Sequence, residues 1–408
     1  MYYLDLYQEL KQLWSADTDQ FEFDGLTVSK YNFKSASQHL LPGAENYTCQ
    51  KHGKHFTPDS IYLNDIGAMN DHIYLRDVEI KENESFSYRV FMPNGEKRVN
   101  RALFLFHGFN EKNWDKYLPW AYHLAKQTGR AVILFPIAFH MNRTLSLWSD
   151  KRNMFLLSEK RKKMFPNVVN SSLSNVAISM RLHAMPQRFI WSGLQTYYDV
   201  IQFITACKND EHPLLASDTT FDLMSYSIGC LLSEVLKLSN YNGYFSQSKL
   251  CMFCGGAVFN RLSPVSKYIL DSEANIALYS YMVEHLEKHL EKDAHLKHYL
   301  AGDHKEGQIF YSMLDYKVQR EFREQLFREV SSDLMAISLK QDSIIPAYEI
   351  VNTLQGAARD ISVPVHVHDF SFKYNHVTPF PATEKNKELI DESFRMVFDQ
   401  AAEFLMSE

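Results

Sequence analysis

From Ile73 onward, short runs dense in β-branched, aromatic and aliphatic residues alternate with longer stretches in which apolar residues recur at helical spacing. The short runs predict strands: IYLRDVEI from Ile73, FSYRVFM from Phe86, ALFLF from Ala102, AVILF from Ala131, FDLMSY from Phe221, LCMFC from Leu250, LMAISL from Leu334 and VPVHVHDF from Val363. KENES separates the first two and PNGEKR follows the second, turn chemistry that predicts an antiparallel pair. The later runs are far enough apart for helical crossovers, which parallel strands require. The expected fold is therefore α/β: a mostly parallel eight-stranded sheet with helices on both faces.

Between the runs, NWDKYLPWAYHLAKQTG ends on Gly129 with Leu118, Ala121, Tyr122 and Ala125 on one side. Leu389, Ile390, Phe394, Val397, Phe398, Ala401 and Leu405 form the apolar stripe of a last helix. Two stretches exceed what a crossover needs, about 141–187 and about 260–332. They read as insertions over one end of the sheet, the second a helical cap. Residues 1–70 are polar and turn-rich around SKYNFKSASQHLLPGAENYTCQKHGKHFTPDS, and read as an N-terminal extension packing on a main domain spanning 71–408.

Bulk composition changes this picture little. The chain has 408 residues, 45% of them hydrophobic and 23% charged, with a formal net charge of -6, which gives no reason to expect a nucleic-acid partner. No run is long and apolar enough to span a membrane, and MYYLDLYQELKQLW lacks the pattern of a secretory signal. Five scattered cysteines make no disulfide framework, so a cytoplasmic location is expected.

The chemistry begins at SYSIG, where a predicted strand runs into a predicted helix. A nucleophilic serine needs its hydroxyl lifted clear of the sheet, and the middle residue of such a sharp turn, Ser227, is lifted in this way. Its neighbours two positions away must be small, which accounts for Gly229 and makes Ser225 a packing residue. A serine also needs a base, and the base needs an orienting group. KQDSIIP places Asp342 just past a strand end, and SFKYNHVTPF places His376 on a loop before the last helix. The N–H groups of Phe109, in the HGFN that follows ALFLF, and of Ile228 are the expected donors to a developing oxyanion. Gly108 lets that loop turn, and His107 is expected to fix it by hydrogen bonding.

HGFN, SYSIG, QDSIIP and NHVTPF, in that order along the chain at strand ends, resemble the α/β-hydrolases over roughly Ile73 to Leu405, in particular an uncharacterised bacterial branch. Ser225 stands where that family's elbow usually carries glycine. The resemblance implies a serine hydrolase working through an acyl-enzyme on a small-molecule carboxylic ester, thioester or amide, with a Ser227–His376–Asp342 triad, no cofactor and no metal. It leaves substrate and oligomeric state open. Trp148, Phe155, Met164, Phe165, Tyr268 and Tyr299 in the insertions are expected to wall the pocket.

Other readings compete. Ser227 could simply end a buried strand, and Asp342 is also a good helix N-cap. His366 and His368 share one face of a strand and read as packing, and Asp369 is a rival to Asp342. CMFC reads as buried packing rather than a metal site. His285, His289, His295, His298 and His304, interleaved with Glu and Lys, read as a solvated helix face, and Lys160 to Lys163 as an exposed loop. The rival functions are a non-catalytic binding protein on the same fold, and an interaction protein that docks a partner through its first 70 residues.

Overall fold

The computed structural model describes residues 1–15, 17–57, 73 and 75–407. In chain order the strands are β1 (Gln20–Phe23), β2 (Leu26–Lys34), the small pair β3 (Tyr47–Cys49) and β4 (Lys54–Phe56), then β5 (Ser85–Pro93), β6 (Val99–Phe106), β7 (Ala131–Leu134), β8 (Leu215–Tyr226), β9 (Leu250–Phe253), β10 (Leu334–Leu339) and β11 (Val365–His368). Among the described residues, nine of them form one sheet in the order β1-β2-β5-β7-β6-β8-β9-β10-β11. From β7 to β11 every neighbour is parallel, while β1, β2, β5 and β7 pair antiparallel.

Seven of the eight expected strands are present, but the Ile73 run is not one of them. Asp77–Glu79 forms a 3-10 turn and Lys81–Glu84 a short helix, while Tyr74 lies outside the described residues. Charge explains the difference. Asp77 is buried against the guanidiniums of Arg181 and Arg188, and Glu79 accepts the Arg76 N–H at 2.8 Å, closing the turn. The antiparallel partner of β5 is instead β2, in register from Leu26 opposite Pro93 to Lys34 opposite Ser85. Residues 20–34, read as extension, thus supply two strands and raise the sheet from eight to nine; residues 58–70 lie outside the described residues.

Alternation along the strands sorts side chains to two faces. Phe104 and Phe106 of β6, Leu223 of β8 and Met252 of β9 pack with the helices Arg188–Lys208 and Ile228–Ser239. Leu103, Leu105, Met224, Tyr226 and Phe253 pack on the other side with the helices Tyr117–Thr128 and Lys387–Met406. The helix Tyr3–Leu13 joins that second layer. Its Tyr3 N–H donates to Asp391 at 2.8 Å, and its Asp5 pairs with Lys387 at 2.7 Å. Cys251 and Cys254 are both buried in this layer, Cys254 past the end of β9 with φ 51°.

Residues 141–187 hold the helices Lys151–Met164 and Val176–Ala184, with a small core around Trp148, Met154, Leu157 and Met180. Residues 260–332 hold a run of short helices from Ser272 to Glu329. Two expectations change here. Lys160 to Lys163 belong to a helix, and Arg161 is buried in an ion pair with Asp271 (2.5 and 2.8 Å). His285 is exposed, but His295, His298 and His304 are buried. The local charge pattern around them misleads because β3 and β4 pack over that side: Tyr47 stacks on His295 and Phe56 lies against His298. Among the described residues, no helix is long and apolar enough to cross a membrane.

Candidate active site

β8 ends at Tyr226, Ser227 takes φ 56° and ψ -123°, and a helix begins at Ile228. A left-handed φ on a serine is strained and persists only where the surroundings impose it. They do so here. The Ser227 N–H donates to the Phe253 carbonyl at 3.1 Å, and the Cys230 N–H to the Ser227 carbonyl at 3.0 Å. A Cβ on Gly229 would stand 2.8 Å from the His107 carbonyl oxygen and 3.0 Å from Phe106 Cβ, so only glycine fits where helix and β6 meet. Gly255 is similarly confined, its Cβ position 2.6 Å from the Ser227 carbonyl oxygen.

Ser227 Oγ lies 2.7 Å from His376 Nε2, and His376 Nδ1 lies 2.7 Å from Asp342 Oδ2; all three residues are buried. Asp342 has its other oxygen occupied, since Oδ1 accepts the N–H groups of Ile344 (2.9 Å) and Ile345 (3.0 Å). The carboxylate thus caps the turn after β10 with one oxygen and faces the imidazole with the other. An ionised carboxylate only accepts, so the His376 proton sits on Nδ1 and Nε2 is left to accept from the serine hydroxyl. Burial, and then the Asp342 carboxylate, push the neighbouring Cys254 thiol well above its ordinary range, which keeps a second negative charge out of the site.

The HGFN loop is fixed from two sides. His107 Nδ1 meets the Gly108 carbonyl at 2.8 Å and its Nε2 accepts the Ile137 N–H at 2.9 Å. Burial, and then nearby His140, hold His107 well below its ordinary pKa, so it is a neutral staple. The Gly108 N–H is taken by the Tyr117 hydroxyl at 2.8 Å. Asn110, at φ 58°, donates to the carbonyls of Ser174 (2.9 Å) and Tyr268 (2.6 Å), tying both inserted segments to this loop.

Sequence reasoning missed a group that joins this loop to the histidine loop. Tyr117 donates to Glu111 at 3.0 Å, Glu111 pairs with Lys116, and Lys116 donates to the Val377 carbonyl at 3.0 Å. The same ammonium stands 4.6 Å from the centre of the Tyr226 ring, which stacks on His376 at 5.4 Å. Nothing in its spacing marks Lys116, because the Val377 carbonyl and the Tyr226 ring that it meets are more than a hundred residues away in sequence.

Ser227 and His376 open onto a cleft of about 440 Å³ whose polar rim includes Asn110, Glu111, Lys112, Asn113 and Lys151. Burial holds Lys112 down at about 8. On the other side of Ser227 a narrow apolar recess is lined by Phe109, Phe189, Phe259, Ile269, Leu278 and Ile345. Of the six aromatic and apolar residues expected in the wall, Trp148 and Tyr268 line the cleft. Phe155 and Met164 are exposed, Phe165 packs on His183, and Tyr299 stacks on His304, because their helices turn those faces elsewhere. His368 bonds to Gln400 at 2.9 Å, and Asp369 bonds to Tyr374 (2.8 Å) and Gln341 (2.9 Å), while His376 Nδ1 belongs to Asp342. Among the described residues, the groups able to hold a metal ion together are Cys49, His52, His298 and His304, none of which lines the cleft.

The parallel sheet, with its strained serine turn after β8 and later residues brought back from beyond β10 and β11, is an α/β-hydrolase-type fold. Within that class, the chain belongs to the family of unknown function DUF6051, whose family model matches residues 1–406. No curated protein matches it in sequence. Among solved structures it is similar to a cold-adapted esterase from an Arctic intertidal metagenomic library, at 10% identity over 96% of this chain and 99% of that one, with a TM-score of 0.42. A thermostable esterase from Pseudomonas putida matches at 9% identity over 100% and 97% of the two chains, TM-score 0.42. The peroxisomal alpha-beta-hydrolase Lpx1 from Saccharomyces cerevisiae matches at 11% identity over 95% and 91%, TM-score 0.42. Likeness at that distance says nothing of what this chain acts on.

Proposed function

We propose that the protein is a serine hydrolase that cleaves a small carboxylic ester, or a related thioester or amide, through an acyl-enzyme. The observation that carries this reading is the continuous line of contacts from Ser227 Oγ to His376 to Asp342, 2.7 Å at each step, at the mouth of a cleft. His376 Nε2 takes the hydroxyl proton as Ser227 attacks the carbonyl carbon, and Asp342 stabilises the resulting imidazolium. The N–H groups of Phe109 and Ile228 receive the oxyanion. His376 returns its proton to the leaving group, then activates the water that releases the acid. The apolar recess takes the acyl chain, and the polar cleft takes the leaving group. The five unpaired cysteines support a cytoplasmic setting.

A binding protein on the same fold has no need of a serine within reach of the imidazole, so the 2.7 Å contact counts against that reading. The test is labelling of the wild type, Ser227→Ala and His376→Ala with a fluorophosphonate, read by intact mass and peptide mapping. An adduct on Ser227 that depends on His376 is expected. A folded wild type that stays unlabelled would overturn the proposal.

A further inference from the structure

Far along the chain from the serine, the geometry points to a structural zinc site built from Cys49, His52, His298 and His304. Their ligand atoms all lie within 4.8 Å of one another. Cys49 Sγ is 3.4 Å from His52 Nδ1 and 3.3 Å from His304 Nε2, and His304 Nε2 is 3.2 Å from His298 Nε2. A tetrahedron around zinc with ordinary Zn–N and Zn–S bonds has edges of about 3.3 Å between nitrogens and about 3.6 Å between sulfur and nitrogen. The three imidazole rings stand nearly perpendicular to one another, at 87°, 83° and 88°, as rings pointing their nitrogens at one centre do.

Hydrogen bonding alone explains this cluster poorly. His304 Nδ1 faces the Glu306 carboxylate at 2.8 Å, so its proton is there and Nε2 is an acceptor. That single lone pair faces both the Cys49 sulfur and the His298 nitrogen, and a cation at the centre satisfies all four groups at once. Glu306, itself bonded to the Tyr198 hydroxyl, also supplies the carboxylate that a metal-bound histidine ordinarily has behind it. One thiolate and three imidazoles are a donor set for a borderline-soft ion, and four protein ligands close the coordination sphere, which marks a structural rather than a catalytic site. The ligands come in two pairs: Cys49 and His52 from the hairpin of β3 and β4, and His298 and His304 from the helical run after Asn260. The ion would therefore staple the first 57 residues to the segment that lies over the site.

The test uses the untagged full-length chain, purified without chelator. Elemental analysis is expected to find one zinc per chain, and chelation to lower the thermal midpoint. Cobalt added to the stripped chain should give the intense visible bands of a tetrahedral ion, with a thiolate-to-cobalt band in the near ultraviolet. Cys49→Ser should remove the latter. Glu306→Gln, and His52→Ala at the half-exposed ligand, should each weaken zinc binding at least about tenfold while the chain stays folded. A wild type that carries no zinc and gives only the weak spectrum of octahedral cobalt would overturn the site, as would a near-ultraviolet band that survives Cys49→Ser.

Discussion

Lys116 Nζ donates to the carbonyl of Val377, the residue after His376, while its stem carries the same ammonium over the ring on which His376 stacks. Lys116 is thus a positioning residue for the imidazole. Lys116→Met keeps an aliphatic stem over Tyr226 and loses the bond to Val377, the ion pair with Glu111 and the charge over the ring. We expect kcat on an activated ester to fall about 10- to 100-fold with KM nearly unchanged and the thermal midpoint retained. A rise in KM at constant kcat would assign Lys116 to substrate binding instead.

Asp342 separates structure from chemistry by oxygen atom. In Asp342→Asn the amide oxygen can still accept from Ile344 and Ile345, so folding should hold, but the amide nitrogen then faces His376 Nδ1 and favours the wrong tautomer. Turnover should drop by about 10⁴ with little change in unfolding free energy. Asp342→Ala should lose the cap as well and unfold more easily by about 1 kcal/mol, measured by urea titration.

Gly229→Ala forces a methyl against the His107 carbonyl and Phe106 Cβ. Either the elbow or the HGFN loop must shift. The variant should lose about 1–3 kcal/mol of stability and label far more slowly with fluorophosphonate than the wild type. A variant that labels at the wild-type rate would mean the elbow tolerates the shift.

The apolar recess beside Ser227 is narrow, and Leu278 is one of its buried walls. Leu278→Ala should move the preferred acyl chain of a p-nitrophenyl ester series to longer lengths, each accommodated methylene adding roughly 0.8 kcal/mol. An unchanged chain-length profile would place the acyl group in the wide cleft.

Acid should destabilise the fold through buried imidazoles. Burial holds His140 and His212 at about 4, and burial with a nearby His140 holds His107 well below 6.5. Between 6.5 and about 4 the unfolded chain binds protons that the folded chain refuses. The contribution of His140 and His212 to unfolding free energy is therefore complete above 6.5 and is lost as pH drops through that window. The slope should be about 1.4 kcal/mol per pH unit for each such histidine, read from urea midpoints at neutral pH and near pH 5.

Most of the parallel half of the sheet was legible because β6, β7, β9 and β10 carry buried, unbroken apolar runs, as ALFLF and LMAISL do. β2 was not, because LTVSKYNFK puts Asn32 and Lys34 into solvent and finds its partner some fifty residues later. Ser227, Asp342 and His376 were legible as candidates because the first two stand just beyond strand ends and the third on the loop before the last helix, each in a punctuated motif, and they lie in hydrogen-bond contact. Lys116, in the second tier around them, meets Val377 and Tyr226 across the fold and leaves no local pattern. His295, His298 and His304 misled for the same reason: a hairpin made of residues 47–56 packs over that side.

The bonds of Tyr3 to Asp391 and of Asp5 to Lys387 set an order of events during synthesis. The helix Tyr3–Leu13 is made before the helix it rests on, with Tyr3 and Asp391 388 residues apart. Its apolar face, with Leu6 and Leu10, must wait while the residues between the two helices are translated. That interval is when a chaperone would have something to hold, and a chain stalled before Lys387 would keep the same face open.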